Sequence, residues 1–401
     1  MNSETFTTTS PLLGEFDHVL AEQRGSCGLL TLLRPKALNA LSLPMVRRLL
    51  RCLREWQDDP AIAAVAIRGS NKQGQPGSPE ALFGSFCAGG DIRFFHQAAT
   101  SGLASDLADL DAFFTEEYTL NHLIHSYSKP YVAFMDGIVM GGGMGIAQGA
   151  SLRIVTERSK MAMPEAAIGL FPDVGGGYFL SRCPGHVGEY LALTGHVIHA
   201  DEAIAWGLAD CRWDAAALPG LWEALASQSF ANAAEAQAWV AAHLGQNAAI
   251  NLIAARAGIH WAEGTFDAFF GHSEVPLMLA ALDREAATGN NSAFALQTAA
   301  QIRKGSPLML KVTLELIRRA RKLPTLADDL RLERTLVHHC FHLRQPTEKS
   351  ETVEGIRALA IDKDHVPRWS PSTLKEVTPA MVEAFFTSPW AADQHPLKLL
   401  K

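Results

Sequence analysis

KPYVAFMDGIVMGGGMGIAQGA, residues 129–150, decides how this chain is read. Lys129-Pro130 breaks the preceding pattern, and residues 131–135 form a short apolar run of strand length. That run leads into Gly141, Gly142, Gly143 and Gly145, which predicts backbone leaving a strand and entering a helix. Amide N–H groups at a helix start carry partial positive charge, and glycine lets another carbonyl approach without a Cβ in the way. FCAGGD, residues 86–91, has the same character. Taken together the two segments predict an oxyanion site built from bare amides; taken singly, either reads as a tight turn. A dinucleotide fingerprint does not fit, because G-x-G-x-x-G requires glycine three residues after Gly143 and Ile146 stands there. A phosphate-binding G-x-x-x-x-G-K-[ST] loop does not occur.

Outward from this stretch the chain reads as a layered α/β fold. Residues 28–33 predict a strand ended by Arg34-Pro35. A helix follows, with Ser42 as cap, Pro44 in the first turn and Val46, Leu49, Leu50 and Leu53 on one face, ending at Asp58-Asp59-Pro60. Residues 62–67 predict the next strand, residues 69–86 a Gly/Pro-rich surface loop, residues 103–126 a long helix, and residues 152–155 and 160–163 two further strands. Beyond about residue 222 the texture becomes alanine-rich and helical, as with Leu310, Leu314 and Ile317, and ends in an irregular extension containing Trp369 that should pack back onto the body. The expected organisation is a core over residues 11–222 and a helical C-terminal domain with its extension over residues 223–401.

Composition narrows the function. The 401 residues suffice for two or three domains, and only 19 % are charged against about 25 % in an average soluble chain, so the core is large. A net charge of −7 argues against nucleic acid as the main partner. The uncharged stretch over residues 137–152 is too short and too rich in glycine for a membrane span. The N-terminal residues lack a basic region followed by an apolar run, which points to the cytoplasm. Cys27, Cys52, Cys87, Cys183, Cys211 and Cys340 form no C-x-x-C pair and read as reduced thiols. His338, His339, Cys340 and His342 cluster, but with no acidic ligand beside them in sequence they read as a helix face, and no metal is expected.

MAMPEAAIGLFPDVGGGYFL, residues 161–180, places two carboxylates, Glu165 and Asp173, in an apolar setting. Burial raises a carboxyl pKa toward neutrality, which suits an acid or base, although Asp173 before Val-Gly-Gly reads equally as a turn residue. No G-x-S-x-G occurs, so a serine nucleophile elbow has no candidate and any hydrolysis must use carboxylates and water.

In this order, RPKALNALS (34–42), FCAGGD, KPYVAFMDGIVMGGGMG (129–145), MPEAAIGLFPDVGGGYFL (163–180) and LALTGHVIHADEAIAWGLAD (191–210) resemble the enoyl-CoA hydratase/isomerase, or crotonase, superfamily over about residues 15–212. The resemblance implies an α/β spiral of β-β-α turns, here with a C-terminal helical domain, and an oxyanion hole formed by the amides of Gly90 and Gly142. It also implies an acyl-CoA substrate, with no cofactor besides the CoA that the substrate carries. The first catalytic glutamate of the hydratases is matched by Gly145, the second by Glu165, while Asp173 lies where hydratases typically have glycine. Glu117, in TEEYTLNHLI (115–124), matches a substrate-contacting acid of the family's thioester hydrolases, whose C-terminal extension residues 292–317 and 353–371 also resemble.

The implied reaction is hydrolysis of 3-hydroxyisobutyryl-CoA, or a similar short 3-hydroxyacyl-CoA, to CoA and a hydroxy acid, a step of valine catabolism. Glu165 would activate water or attack the carbonyl itself. Asp173 would orient the substrate hydroxyl or relay the proton, and Glu117 would help position the substrate. Arg34 reads as a CoA contact or as a surface arginine. Two alternatives stay open: hydration or isomerisation of an enoyl-CoA, and a non-catalytic acyl-CoA binding module. Whether the chain forms a homo-oligomer stays open: such proteins commonly form trimers or dimers of trimers, but the helical extension could cover that surface.

Overall fold

A computed structural model describes residues 18–71, 83–245, 248–258, 264–342 and 350–401. The N-terminal residues behind the localisation reading, and residues 72–82 of the surface loop, lie outside it. β1 (Val19–Arg24) and β2 (Cys27–Leu32) form an antiparallel hairpin, with Gly25 at φ +55 in its turn. β3 (Ala64–Gly69), β4 (Tyr131–Met135), β6 (Leu152–Val155) and β8 (Cys211–Arg212) continue the sheet in parallel, giving the order β1-β2-β3-β4-β6-β8. β2, β3 and β4 are buried along their whole length, which is why they read as continuous apolar runs and not as alternation.

A second layer pairs β5 (Ile138–Met140) with β7 (Lys160–Ala162) and is widened by single bridges from Cys87 to Val139 and from Met161 to Ile198. The chain therefore lays down one strand in the large sheet, one in the small sheet and then a helix, and climbs by a turn; β4, β5 and α4 (Gly142–Gln148) show the unit most plainly. α1 (Leu43–Asp58) buries Val46, Leu49, Leu50 and Leu53, as its spacing predicts, although the Ser42 side chain makes no capping bond. α2 (Ile92–Thr100) is capped by Asp91, and α3 (Ala104–His125) spans the expected long helix.

The later part of the core carries α5 (Gly176–Leu180), α6 (Val187–Thr194), α7 (Ala200–Ala205) and α8 (Leu218–Ala226). The boundary at residue 222 falls inside α8, whose Leu218, Trp222 and Leu225 pack on Leu29, Val132 and Phe134 of the sheet. Helices α9 (Ala233–His243), α10 (Ala248–Gly258), α11 (Thr265–Phe270), α12 (Val275–Thr288), α13 (Ser292–Ile302), α14 (Pro307–Ala320), α15 (Leu326–Phe341), α16 (Glu351–Ile356) and α17 (Pro379–Phe386) follow. One apolar core runs from Leu30 of β2 through Leu316 and Leu336 to Leu397, so these helices are built onto the spiral rather than tethered to it. The extension does fold back: Trp369 Nε1 donates to the Lys304 carbonyl at 3.0 Å. Among the described residues no helix is long and apolar enough to cross a membrane.

Candidate active site

Gly90 and Gly142 come together because two turns of the spiral end side by side. At FCAGGD, Leu41 N donates to the Gly89 carbonyl and Asp91 N to the Leu41 carbonyl, so the bridge at Gly90 uses its neighbours and passes over the Gly90 N–H. Gly142 is the first residue of α4, where an N–H has no acceptor within its own helix. A Cβ built on Gly142 would lie 3.4 Å from Gly90 N and 2.4 Å from Glu117 Oε1. The two amides and that carboxyl thus share one spot, and a side chain there would push the Glu117 carboxyl aside. Gly141, at φ +50, makes the turn, and a Cβ on it would meet Glu165 Oε1 at 2.8 Å.

Three carboxyls converge on these amides from three elements. Glu117 comes from the middle of α3, Glu165 from the 3₁₀ turn Glu165–Ile168 after β7, and Asp173 from the loop before α5. They are 2 %, 6 % and 5 % exposed, yet Glu117 Oε1 and Glu165 Oε2 have no hydrogen-bond partner among the described residues. The Tyr118 hydroxyl donates to Asp173 Oδ2 at 2.8 Å. Burial pushes the Glu117 and Glu165 carboxyls well above the ordinary range, and the charge on Asp173 adds to the rise at both. Burial also raises Asp173, to about 6, against the pull of the Tyr118 hydrogen bond. Carboxyls pushed upward by burial and by one another are the kind of groups that acid–base work needs.

These groups line a cavity of about 680 Å³ that also contains Phe95, Phe114, Ile168 and Leu170 as apolar wall. Arg34, Lys36, Arg93 and Lys363 line it as well, the last from the C-terminal extension. Arg34 is held by Asp91 at 2.7 Å and by the Ala40 carbonyl at 3.1 Å, so it is a fixed part of the cavity wall. Sequence alone hides the four cations as a set, because Lys363 and Arg93 are distant from Arg34 along the chain.

At Gly145 the available space is decisive. A Cβ there would lie 2.6 Å from Val174 Cβ and 2.9 Å from Asn121 Nδ2, both fully enclosed, so the position cannot host a glutamate without displacing the loop that carries Asp173.

The histidine cluster lies in the last turn of α15 and just beyond it, away from these carboxyls. Space supplies the acidic neighbour that the local sequence lacks: Asp111 Oδ2 is 3.0 Å from His342 Nε2. Ligand atoms of Asp111, His338 and His342 lie within 4.8 Å of one another, but Arg334 takes the other Asp111 oxygen and the two imidazoles stack at 4.1 Å. This is the packing of α15 against α3. The six cysteines, all among the described residues, form no disulfide and are buried.

Comparison with known proteins agrees with this architecture. The chain is 38 % identical over 379 residues to rat 3-hydroxyisobutyryl-CoA hydrolase, mitochondrial, covering 93 % of this chain and 90 % of the rat chain. It is 36 % identical over 373 residues to 3-hydroxyisobutyryl-CoA hydrolase 1 of Arabidopsis thaliana, covering 92 % and 91 %. Among solved structures it resembles a carnitinyl-CoA dehydratase from Mycobacterium thermoresistibile, with TM-score 0.76, 34 % identity and coverage of 96 % of this chain and 100 % of the other. An enoyl-CoA hydratase from Rhodobacter sphaeroides gives TM-score 0.74 and 32 % identity, covering 93 % and 98 %. The model of the enoyl-CoA hydratase/isomerase family matches residues 27–386. With nearly the whole described spiral and its helical C-terminal part inside that match, the chain belongs to the enoyl-CoA hydratase/isomerase family.

Proposed function

We propose that this protein hydrolyses the thioester of 3-hydroxyisobutyryl-CoA, or of a similar short 3-hydroxyacyl-CoA, as a step in valine breakdown. The observation that carries the proposal is the convergence of three buried carboxyls on two glycine amides in a protein whose whole-length relatives bear that hydrolase's name. The thioester oxygen lies between the N–H groups of Gly90 and Gly142, where negative charge grows as the carbonyl carbon becomes tetrahedral. One such donor is worth about 2.7–4 kcal/mol of barrier. Glu165, dry and without a partner on Oε2, takes a proton from water as the water adds to the carbonyl carbon. The C–S bond then breaks, Glu165 passes its proton to the CoA sulfur, and the carboxylic acid product gives its own proton to solvent as it ionises. Direct attack by Glu165, giving an anhydride that water opens, uses the same geometry. Asp173 receives the substrate hydroxyl, Glu117 borders the acyl group, and Arg34, Lys36, Arg93 and Lys363 offer positive charge to the CoA phosphates. No cofactor is needed beyond the CoA of the substrate.

A second reading, hydration of an enoyl-CoA, is favoured by the names of the two similar solved structures. The crowding at Gly145 opposes it, since hydratases carry their first glutamate there. One enzyme stock tests both readings, through thiol release from 3-hydroxyisobutyryl-CoA and loss of enoyl absorbance from crotonyl-CoA. Thiol release without hydration is expected; hydration without thiol release would overturn the proposal.

A further inference from the structure

Two carboxyls that the reaction does not use lie directly behind the catalytic loop. Asp329 and Glu333 sit one turn apart on α15, in the C-terminal region, and both are fully buried. Three of their four oxygens accept backbone N–H groups: Glu333 Oε2 from Gly175 at 2.7 Å, Glu333 Oε1 from Gly177 at 3.0 Å and Asp329 Oδ2 from Tyr178 at 2.7 Å. Asp329 Oδ1 receives no N–H. Burial pushes Glu333 well above the ordinary carboxyl range, with the charge on Asp329 adding to the rise, and lifts Asp329 to about 6.

The bonded segment begins two residues after Asp173, and the residue between, Val174, has φ +57. A β-branched side chain in the left-handed region is strained and persists only where its surroundings fix it. The three N–H bonds from α15 supply that fixation.

We infer that Glu333 and Asp329 are positioning residues, gripping the backbone of residues 175–178 so that the strained turn at Val174 keeps Asp173 against Tyr118 in the cavity. The inference rests on the hydrolase reading above, in which Asp173 meets the substrate. It gives the C-terminal helices a part in the reaction: the loop bearing one functional carboxyl is held from α15, in a part of the chain more than 150 residues away.

The test is steady-state thioester hydrolysis by Glu333→Ala, Glu333→Gln, Asp173→Asn and the double variant Asp173→Asn/Glu333→Ala of the full chain. Displacing a reacting group by about 1 Å can cost about 10²-fold. Glu333→Ala is therefore expected to lower kcat about 10- to 100-fold with KM within about threefold. Glu333→Gln keeps the length of the side chain and one of the two acceptors but removes the other from the glycine amides, so its kcat should fall between wild type and Glu333→Ala. Because Glu333 acts through Asp173, adding Glu333→Ala to Asp173→Asn should lower kcat less than about twofold further, a non-additivity expected of coupled groups. A merely structural clamp would lower the melting temperature and show its full kcat loss again in the Asp173→Asn background, which would overturn the inference. So would unchanged kcat in the Glu333 variants. If Glu333→Ala does not fold, Glu333→Gln decides alone: reduced kcat at unchanged KM supports positioning, and wild-type kcat overturns it. If Asp173→Asn itself hydrolyses at the wild-type rate, the role given to Asp173 fails first, whatever the Glu333 variants do.

Discussion

Asp173→Asn should make the protein slower and more stable at once. The side chain is almost wholly buried, and burial lifts its carboxyl from 3.8 to about 6. A folded-state pKa above the unfolded one means that the native form holds the proton more tightly, so above pH 6 the ionised group opposes folding. The difference of about two pH units, at 1.36 kcal/mol each, amounts to about 3 kcal/mol. Asparagine has the same shape, can still accept the Tyr118 hydroxyl, and removes the charge that pushes up Glu117 and Glu165. With an unfolding entropy near 2.1 cal/mol/K per residue, 401 residues give about 0.8 kcal/mol per degree, hence a rise of about 3–4 °C in Tm at pH 7.5. The rise should shrink as pH falls through 6 and vanish below about pH 4, where the wild-type group is protonated in both states. Over the same range kcat for thiol release should be about 10² lower, the cost of misplacing the substrate that Asp173 orients through its hydroxyl. Calorimetry across pH, together with a thiol assay, measures both. A lower Tm with full kcat would refute the reasoning and make Asp173 a turn residue.

Three further outcomes follow from the same geometry. Glu165→Gln should reduce kcat by about 10² or more while the fold is kept, because the amide cannot take a proton from water; activity near wild type would remove Glu165 from the mechanism. Tyr118→Phe deletes the hydrogen bond that draws the Asp173 pKa down, so the acid limb of kcat/KM should move to higher pH, and a limb that stays in place would show that Asp173 does not set it. Gly145→Ala pushes a methyl group to 2.6 Å from Val174 Cβ, an overpacking cost of about 1–3 kcal/mol partly offset by about 1 kcal/mol of helix propensity; Tm should fall, and Gly145→Glu should gain no hydration of crotonyl-CoA.

What the sequence reveals divides by range. β4 with its glycine turn, the buried face of α1 and the span of α3 are legible because strand length and the 3.6-residue period are local signals. β1 escapes notice, since VLAEQR turns polar toward its end as an outer strand of the sheet does. The site is legible only jointly. Glu165 and Asp173 stand out because carboxylates among prolines and glycines are unusual, whereas Glu117 looks like one acid of a mixed helix until the family pattern singles it out. Glu333 escapes even that. In RLERTLVHHC it sits in a charged run that reads as a solvated helix face, and the amides it serves begin 158 residues upstream. A buried acid leaves no local trace when its partners are backbone N–H groups, because an N–H has no residue identity. The hydrophobic pattern can therefore predict that α15 packs on the core, but not that its polar residues do the holding. This asymmetry hides what supports the loop carrying Asp173. In the folded chain its strained turn at Val174 is held by the acids of a helix from the far end of the chain.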